Sequence, residues 1–259
     1  MAQVAAELAE LYSYSKKALR AFDRPGMSIL DLTQRKAHRA IRERDRQRAK
    51  PRKTTDTNIA NIKATALQTN GVSPSTAQIW RDLQNPCLSR NVRVFLWKGI
   101  HGAHKVGKYF QNMPEPWKSK GICPTCDVIE SMSHILFDCP DSRQELIWSL
   151  AQTFFRHKFI DVDLNIDLIW GCASFRVPGA FCEAGTNRAF KIVVSESAFL
   201  AWKIRCEKRI GHKDDPNWKL SDDAVRKRWS DTIRRRVTQD FRLTSVKLYG
   251  RKALDRGLV

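Results

Sequence analysis

Acidic residues are scarce in this sequence. Asp and Glu number 27 against 46 Lys and Arg, which leaves a formal net charge of +19 and an isoelectric point near 10.0. A compact chain with that excess repels itself, so a polyanion is its natural partner. Nucleic acid is the first candidate and an acidic membrane surface the second.

Long apolar runs are absent too. None reaches the roughly 18–20 residues that would cross a bilayer, so no membrane span is expected. Glu7 and Glu10 interrupt Met1 to Ala21, which does not read as a secretory signal. Strand-like alternation is scarce and no internal repeat is evident. No Gly-x4-Gly-Lys-Ser/Thr loop and no Gly-x-Ser-x-Gly elbow is present, which removes the common phosphate-loop and serine-hydrolase chemistries. The seven cysteines are an odd number, and Cys87, Cys172, Cys182 and Cys206 are scattered. That is no secreted disulfide framework. The expected compartment is reducing and intracellular, with the basic runs suited to nuclear import.

What is present is mainly helical patterning. Val4, Leu8, Leu11 and Ser15 share one face of a helix expected from Ala2 to Phe22, ended by Pro25-Gly26. Thr33 is placed to cap a second helix through Arg48, stopped by Pro51. A third is expected from Asp56 to Asn70, a fourth behind Ser75 and a fifth behind Ser89. The fifth carries Val92, Phe95, Leu96 and Ile100 at core spacing, and Gly99, Gly102 and Gly107 should weaken its far end. Leu146, Ile147, Leu150, Phe154 and Phe155 form a further stripe. Long helices are expected near Thr186 to Ile210 and Ser221 to Val237. Three parts follow: a basic arm over 1–55, a helical zinc-binding body over 56–212, and a basic C-terminal helix and tail over 213–259.

The sharpest motif is Cys123-x2-Cys126-x7-His134-x4-Cys139. A Cys-x2-Cys turn sets two sulfurs on one tetrahedral ion, and a third thiolate with one imidazole completes a closed Zn²⁺ site. A closed site leaves no position for a reacting water, which argues against zinc catalysis. A zinc deaminase would need an upstream His-x-Glu, and none precedes Cys123. His101 and His104 are expected to face solvent or pack at a helix end, the alternative being contact with phosphate or with the groups around the zinc ligands. Lys118, Lys120 and Arg143 are placed to temper the site's negative charge. The expected fold class is therefore mainly α, a helical body with a small Cys3His zinc knuckle.

The second helix is crowded with cations. Arg35, Lys36, Arg39, Arg42 and Arg46 suit phosphate contacts, and binding through them should depend strongly on salt. Trp117, in a loop beside Lys118 and Lys120, is the better candidate to stack on a base, whereas Trp97 is expected in the core. Asp161, Asp163 and Asp167 raise the alternative of a magnesium-dependent nuclease, but three acids in one short loop are more simply capping and solvated groups.

One stretch carries a family resemblance. Phe95-Leu-Trp-Lys-Gly-Ile-His101-Gly-Ala-His104, Gly107-Lys-Tyr-Phe110, the Cys123–Cys126 pair and Glu130-Ser-Met-Ser-His134-Ile-Leu-Phe-Asp-Cys139 resemble the zinc-binding domain that follows the polymerase of non-LTR retrotransposon reverse transcriptases. Leu32-Thr-Gln-Arg35 with Ala40-Ile-Arg-Glu43 resembles the linker after the ribonuclease H domain of such proteins. Phe199-Leu-Ala-Trp-Lys203 with Arg205-Cys-Glu-Lys-Arg209 resembles a helix near their end. The resemblance implies a transposon-derived C-terminal fragment, with metal ligands at Cys123, Cys126, His134 and Cys139 and no catalytic residue. It further implies RNA or DNA as partner, and the polymerase and ribonuclease H parts of a retroelement protein. The alternative function is a protein-interaction scaffold in which zinc only fixes the fold.

Overall fold

The computed structural model describes residues 33–48, 52–157, 162–177 and 183–253. The helix expected over Ala2 to Phe22, Asp161 and Cys182 lie outside them. The described residues are mainly α-helical, and their one strand-like pairing is an isolated antiparallel bridge between Ile122 and Ile129. The chain divides into two compact units, Met1–Arg52 and Lys53–Val259.

In the first unit, α1 spans Gln34–Arg48. The Thr33 hydroxyl accepts the Lys36 amide at 3.3 Å, the cap expected from sequence. Arg35, Lys36, Arg39 and Arg42 are exposed along it.

The second unit starts with α2, Lys53–Asn70, one turn earlier than expected. Tertiary contact explains the extension: Thr55 is buried and its hydroxyl lies 2.8 Å from His101 Nδ1. Thr55, Ile59, Ile62 and Ala66 form the buried stripe, at the four- and three-residue steps of one helix face. Helices α3 (Thr76–Asp82) and α4 (Arg90–Ile100) carry the expected caps, Ser75 to the Gln78 amide and Ser89 to the Val92 amide. Gly99 does not break α4. A Cβ there would sit 2.4 Å from the Trp170 ring, so the glycine is where an indole lies flat against the helix.

Short α5 (Lys108–Gln111) precedes the knuckle, and α6 (Gln144–His157) follows it. Within α6 the fully buried side is Ile147, Trp148, Ala151 and Phe155, while Leu146, Leu150 and Phe154 are only partly covered. A helix not expected from sequence, α7 (Ile166–Gly171), is capped by Asn165 on the Leu168 amide. It packs on α2 and α4.

The long helix α8, Glu183–Cys206, runs through the middle. Ile192 to Ala198 are buried without interruption, the mark of a helix covered on every side. Helices α4, α6, α7 and α9 and the knuckle all pack against it. Residues 213–253, expected as a separate tail, belong to this same unit. There α9 (Asp222–Leu243) is longer than expected and buries Val225, Trp229 and Ile233. None of the helices among the described residues is long and apolar enough to cross a membrane.

Candidate metal centre

The knuckle is built by backbone geometry before any ligand is considered. After Cys123-Pro124-Thr125-Cys126, Asp127 takes a left-handed φ of 52°. This turns the chain back, so the Asp127 amide donates to the Cys123 carbonyl at 2.9 Å and the Cys123 amide to the Val128 carbonyl at 2.8 Å. Asp is among the residues that tolerate such a conformation. Gly107 closes the entrance. Its φ is +44°, and a Cβ there would meet the Glu130 carbonyl oxygen at 1.7 Å.

The second half needs a different device. Residues five apart on an α-helix point about 140° away from each other. His134–Asp138 instead forms a wide i→i+5 turn, closed by the Cys139 amide on the His134 carbonyl at 2.8 Å. The widening brings His134 and Cys139 to the same side. Trp148 of α6 holds this turn from below, its indole N–H donating to the Leu136 carbonyl at 2.6 Å.

The ligand atoms of Cys123, Cys126, His134 and Cys139 all lie within 4.8 Å of one another. Three are buried and Cys126 is half-buried. Two observations fit a metal. The Cys123 and Cys139 sulfurs are 3.7 Å apart, too far for a disulfide at about 2.05 Å but close to the ~3.8 Å edge of a tetrahedron with Zn–S near 2.3 Å. His134 Nε2 is buried with no hydrogen-bond partner. Without a metal that nitrogen would be an unpaired buried polar atom, and such atoms are rare. Burial, followed by the neighbouring Cys123 thiol, pushes the Cys126 thiol above its ordinary range, and burial does the same to Cys139. Among the described residues, no other group of three or more such side chains gathers in this way.

The cations around the cluster differ from those expected. Arg143 pairs with Asp222 of α9, and Lys120 lies 3.8 Å from Asp214 while its carbonyl accepts a hydrogen bond from Arg209. The end of α8 and the wide turn that continues it, Glu207–Gly211, set three further cations beside the cluster, each paired with a carboxylate. Arg205 donates twice to Glu130, Lys208 pairs with Asp141 at 2.7 Å, and Arg209 with Asp214 at 3.3 Å. Asp141 in turn accepts from the Thr125 hydroxyl at 2.5 Å, inside the Cys-x2-Cys turn. Basic residues at a helix C-terminus also suit the helix dipole. Their position in the last turn was the available signal, and partner acids 67 and 75 residues away were not.

Trp117 is 56% exposed at the start of the turn Lys118–Gly121, with Lys118 exposed beside it. Trp97, expected in the core, is 42% exposed, because α4 buries the neighbouring face that carries Phe95 and Leu96. His101 caps α4 and stacks on Trp80. His104 is buried among Phe95, Trp170 and Trp202, with Nε2 3.0 Å from the Phe95 carbonyl. Asp163 is exposed, and Asp167 sits half-buried in the first turn of α7, its carboxyl raised by that burial.

Comparison of the chain with family models, with curated proteins and with solved structures finds no match.

Proposed function

We propose that this chain is a nucleic-acid-binding module held in shape by one zinc ion. In this reading it derives from the C-terminal region of a retrotransposon reverse transcriptase and has no polymerase or nuclease activity of its own. The observation that carries the binding is the run of exposed cations on α1, Arg35, Lys36, Arg39 and Arg42, on a chain of net charge +19. Like charges at three- and four-residue steps repel one another, and a phosphate backbone relieves that repulsion. The closed Cys3His set supports a structural role for the metal. The sequence resemblance supplies the retroelement origin and, with the basic runs, a nuclear location.

A second reading, a protein-interaction scaffold, is favoured by Val237 and Phe241, both exposed one helical turn apart on α9. An electrophoretic shift assay with the zinc-loaded chain at two salt concentrations separates them. The nucleic-acid reading expects a shift at low salt that fades as salt rises. Replacing Arg39, Arg42 and Arg46 by Gln should weaken binding to every sequence tested. It should reduce the slope of log affinity against log salt by about one per lost contact, at most about three. Absence of any shift at low salt leaves the scaffold.

A further inference from the structure

A groove of about 310 Å³ opens between α8, with the wide turn that continues it, and the middle of α9. Leu200, Lys203 and Glu207 line one wall, and Arg228, Asp231, Thr232 and Arg235 the other. Positions 200, 203 and 207, like 228, 231/232 and 235, fall at three- and four-residue steps, so each wall is a single helix face. Residues 196–211 and 224–239, which carry both walls, are all described.

Both carboxylates in the groove are already held. Glu207 accepts from Arg228 at 2.5 and 3.2 Å, and Asp231 accepts from Lys227 at 2.9 Å. The Lys227 hydrogen bond is the main reason the Asp231 carboxyl lies below its ordinary range, with Arg234 and Arg235 adding to it. Glu196, two turns back along α8, attracts Lys203 but has its own cation, Arg236, at 3.7 Å. Lys203, Lys227, Arg228, Arg234 and Arg235 against Glu207 and Asp231 make five cations to two carboxylates, a surplus of three. Lys203, Arg234 and Arg235 form no ion pair among the described residues. Burial lowers the Lys203 pKa below its ordinary value, Glu196 opposes this, and Arg235 and Arg228 lower it further. Its Nζ lies 5.1 Å from the centre of the Phe199 ring. The Thr232 hydroxyl lines the same space, and no described residue shares a hydrogen bond with it.

From this we infer that the groove seats a backbone phosphate of a nucleic-acid strand. Lys203 and Arg235 hold its non-bridging oxygens, the Thr232 hydroxyl donates beside them, and Arg234, exposed next along α9, meets the neighbouring phosphate. A guanidinium with no carboxylate on it offers phosphate a two-pronged contact. The size of the surplus selects a strand: a free phosphate takes up at most about two charges, whereas successive phosphodiesters follow the cations out of the groove. The site rests on the nucleic-acid reading above, but it lies in the Lys53–Val259 unit and shares no residue with α1.

The test uses the full zinc-loaded chain and three probes: a short labelled oligonucleotide followed by anisotropy across a salt series, inorganic phosphate followed by calorimetry, and polyglutamate as an acidic competitor. Lys203→Gln with Arg235→Gln is the main variant, because it strands no ion-paired carboxylate. Thr232→Val keeps the charge and removes only the hydroxyl. Lys63→Gln with Lys105→Gln removes the same charge elsewhere on the unit, and the thermal midpoint and zinc content of each variant report folding. The main variant should weaken oligonucleotide binding about tenfold or more at low salt. It should cut the slope of log affinity against log salt by about two, one per lost contact. Thr232→Val should weaken binding at an unchanged slope, and the charge-matched control should keep wild-type affinity and slope. A control that loses as much as the main variant overturns the site, since overall charge alone then explains binding. Wild-type affinity and slope in both groove variants, with loss on replacing Arg39, Arg42 and Arg46, overturns the groove and leaves the nucleic-acid reading standing. No oligonucleotide binding at low salt sinks both. Inorganic phosphate bound by the wild type and lost in the main variant, with oligonucleotide binding untouched, overturns the strand in favour of a free phosphate. Polyglutamate that displaces the oligonucleotide at equal charge overturns it in favour of an acidic peptide.

Discussion

Arg205 and Glu130, 75 residues apart, are joined by a two-point ion pair in which both side chains are almost wholly buried. It links the end of α8 to the residue that opens the second half of the knuckle. Burial opposes the charge on Arg205, and the hydrogen bond and charge of Glu130 outweigh it, so the guanidinium pKa lies above its ordinary value. Removing one member of such a pair strands the other. Arg205→Met should cost about 3–5 kcal/mol in urea unfolding of the zinc-loaded protein. The double change Arg205→Met with Glu130→Leu should cost less than Arg205→Met alone. A loss in the double change equal to the sum of the two single losses would mean that the pair is not coupled.

The metal is tested by elemental analysis. Freshly purified, reduced protein should hold one zinc per chain, and Cys126→Ser should lose it, with faster amide exchange over residues 121–141. The thiols of Cys126 and Cys139 are raised by burial, so binding must displace their protons. Zinc affinity should therefore fall as the pH is lowered. Wild-type protein without zinc would sink the assignment.

His104 gives a second pH dependence of separate origin. Burial, with a smaller contribution from Lys98, lowers its pKa to about 4, although the Phe95 carbonyl works the other way. The unfolded chain takes up this proton near pH 6.5 and the folded one only near 4. The neutral imidazole therefore contributes stability that is fully present above about 6.5 and is lost as the pH falls toward 4, on the order of 3 kcal/mol at most. His104→Gln should flatten the fall in thermal midpoint across that window. An unchanged slope would place the effect elsewhere.

Gly99→Ala tests the packing of Trp170. Alanine gains about 1 kcal/mol in intrinsic helix propensity. Its Cβ would lie 2.4 Å from an indole that is itself buried, and overpacking of this kind costs about 1–3 kcal/mol. A lowered thermal midpoint is expected, at about 2–4 °C per kcal/mol for a unit of this size. A raised midpoint would show that the ring yields.

Local signals were legible in the sequence. The caps Ser75 and Ser89 appear where a hydroxyl precedes an apolar period, Thr33 caps the cation-rich α1, and the four Cys3His positions meet as their spacing implied. Long-range partners were not. Trp97 was misplaced because periodicity does not say which side of a stripe a bulky edge residue joins. Helix α7 is only six residues long and ends on Gly171, too short to show a helical period, and Thr55 drew α2 back a turn through a contact 46 residues away. The ion pair of Arg188 is made with Asp240, 52 residues on, which no local pattern marks.

Gly107 touches none of the metal ligands through a side chain, for it has none, yet the Glu130 carbonyl occupies the space where one would begin. Its left-handed backbone adds a second reason against any larger residue. In an exhaustive substitution library selected for folded protein, position 107 should therefore be as intolerant as the cysteines themselves. Zinc supplementation would rescue weakened ligand positions and leave this one unrescued.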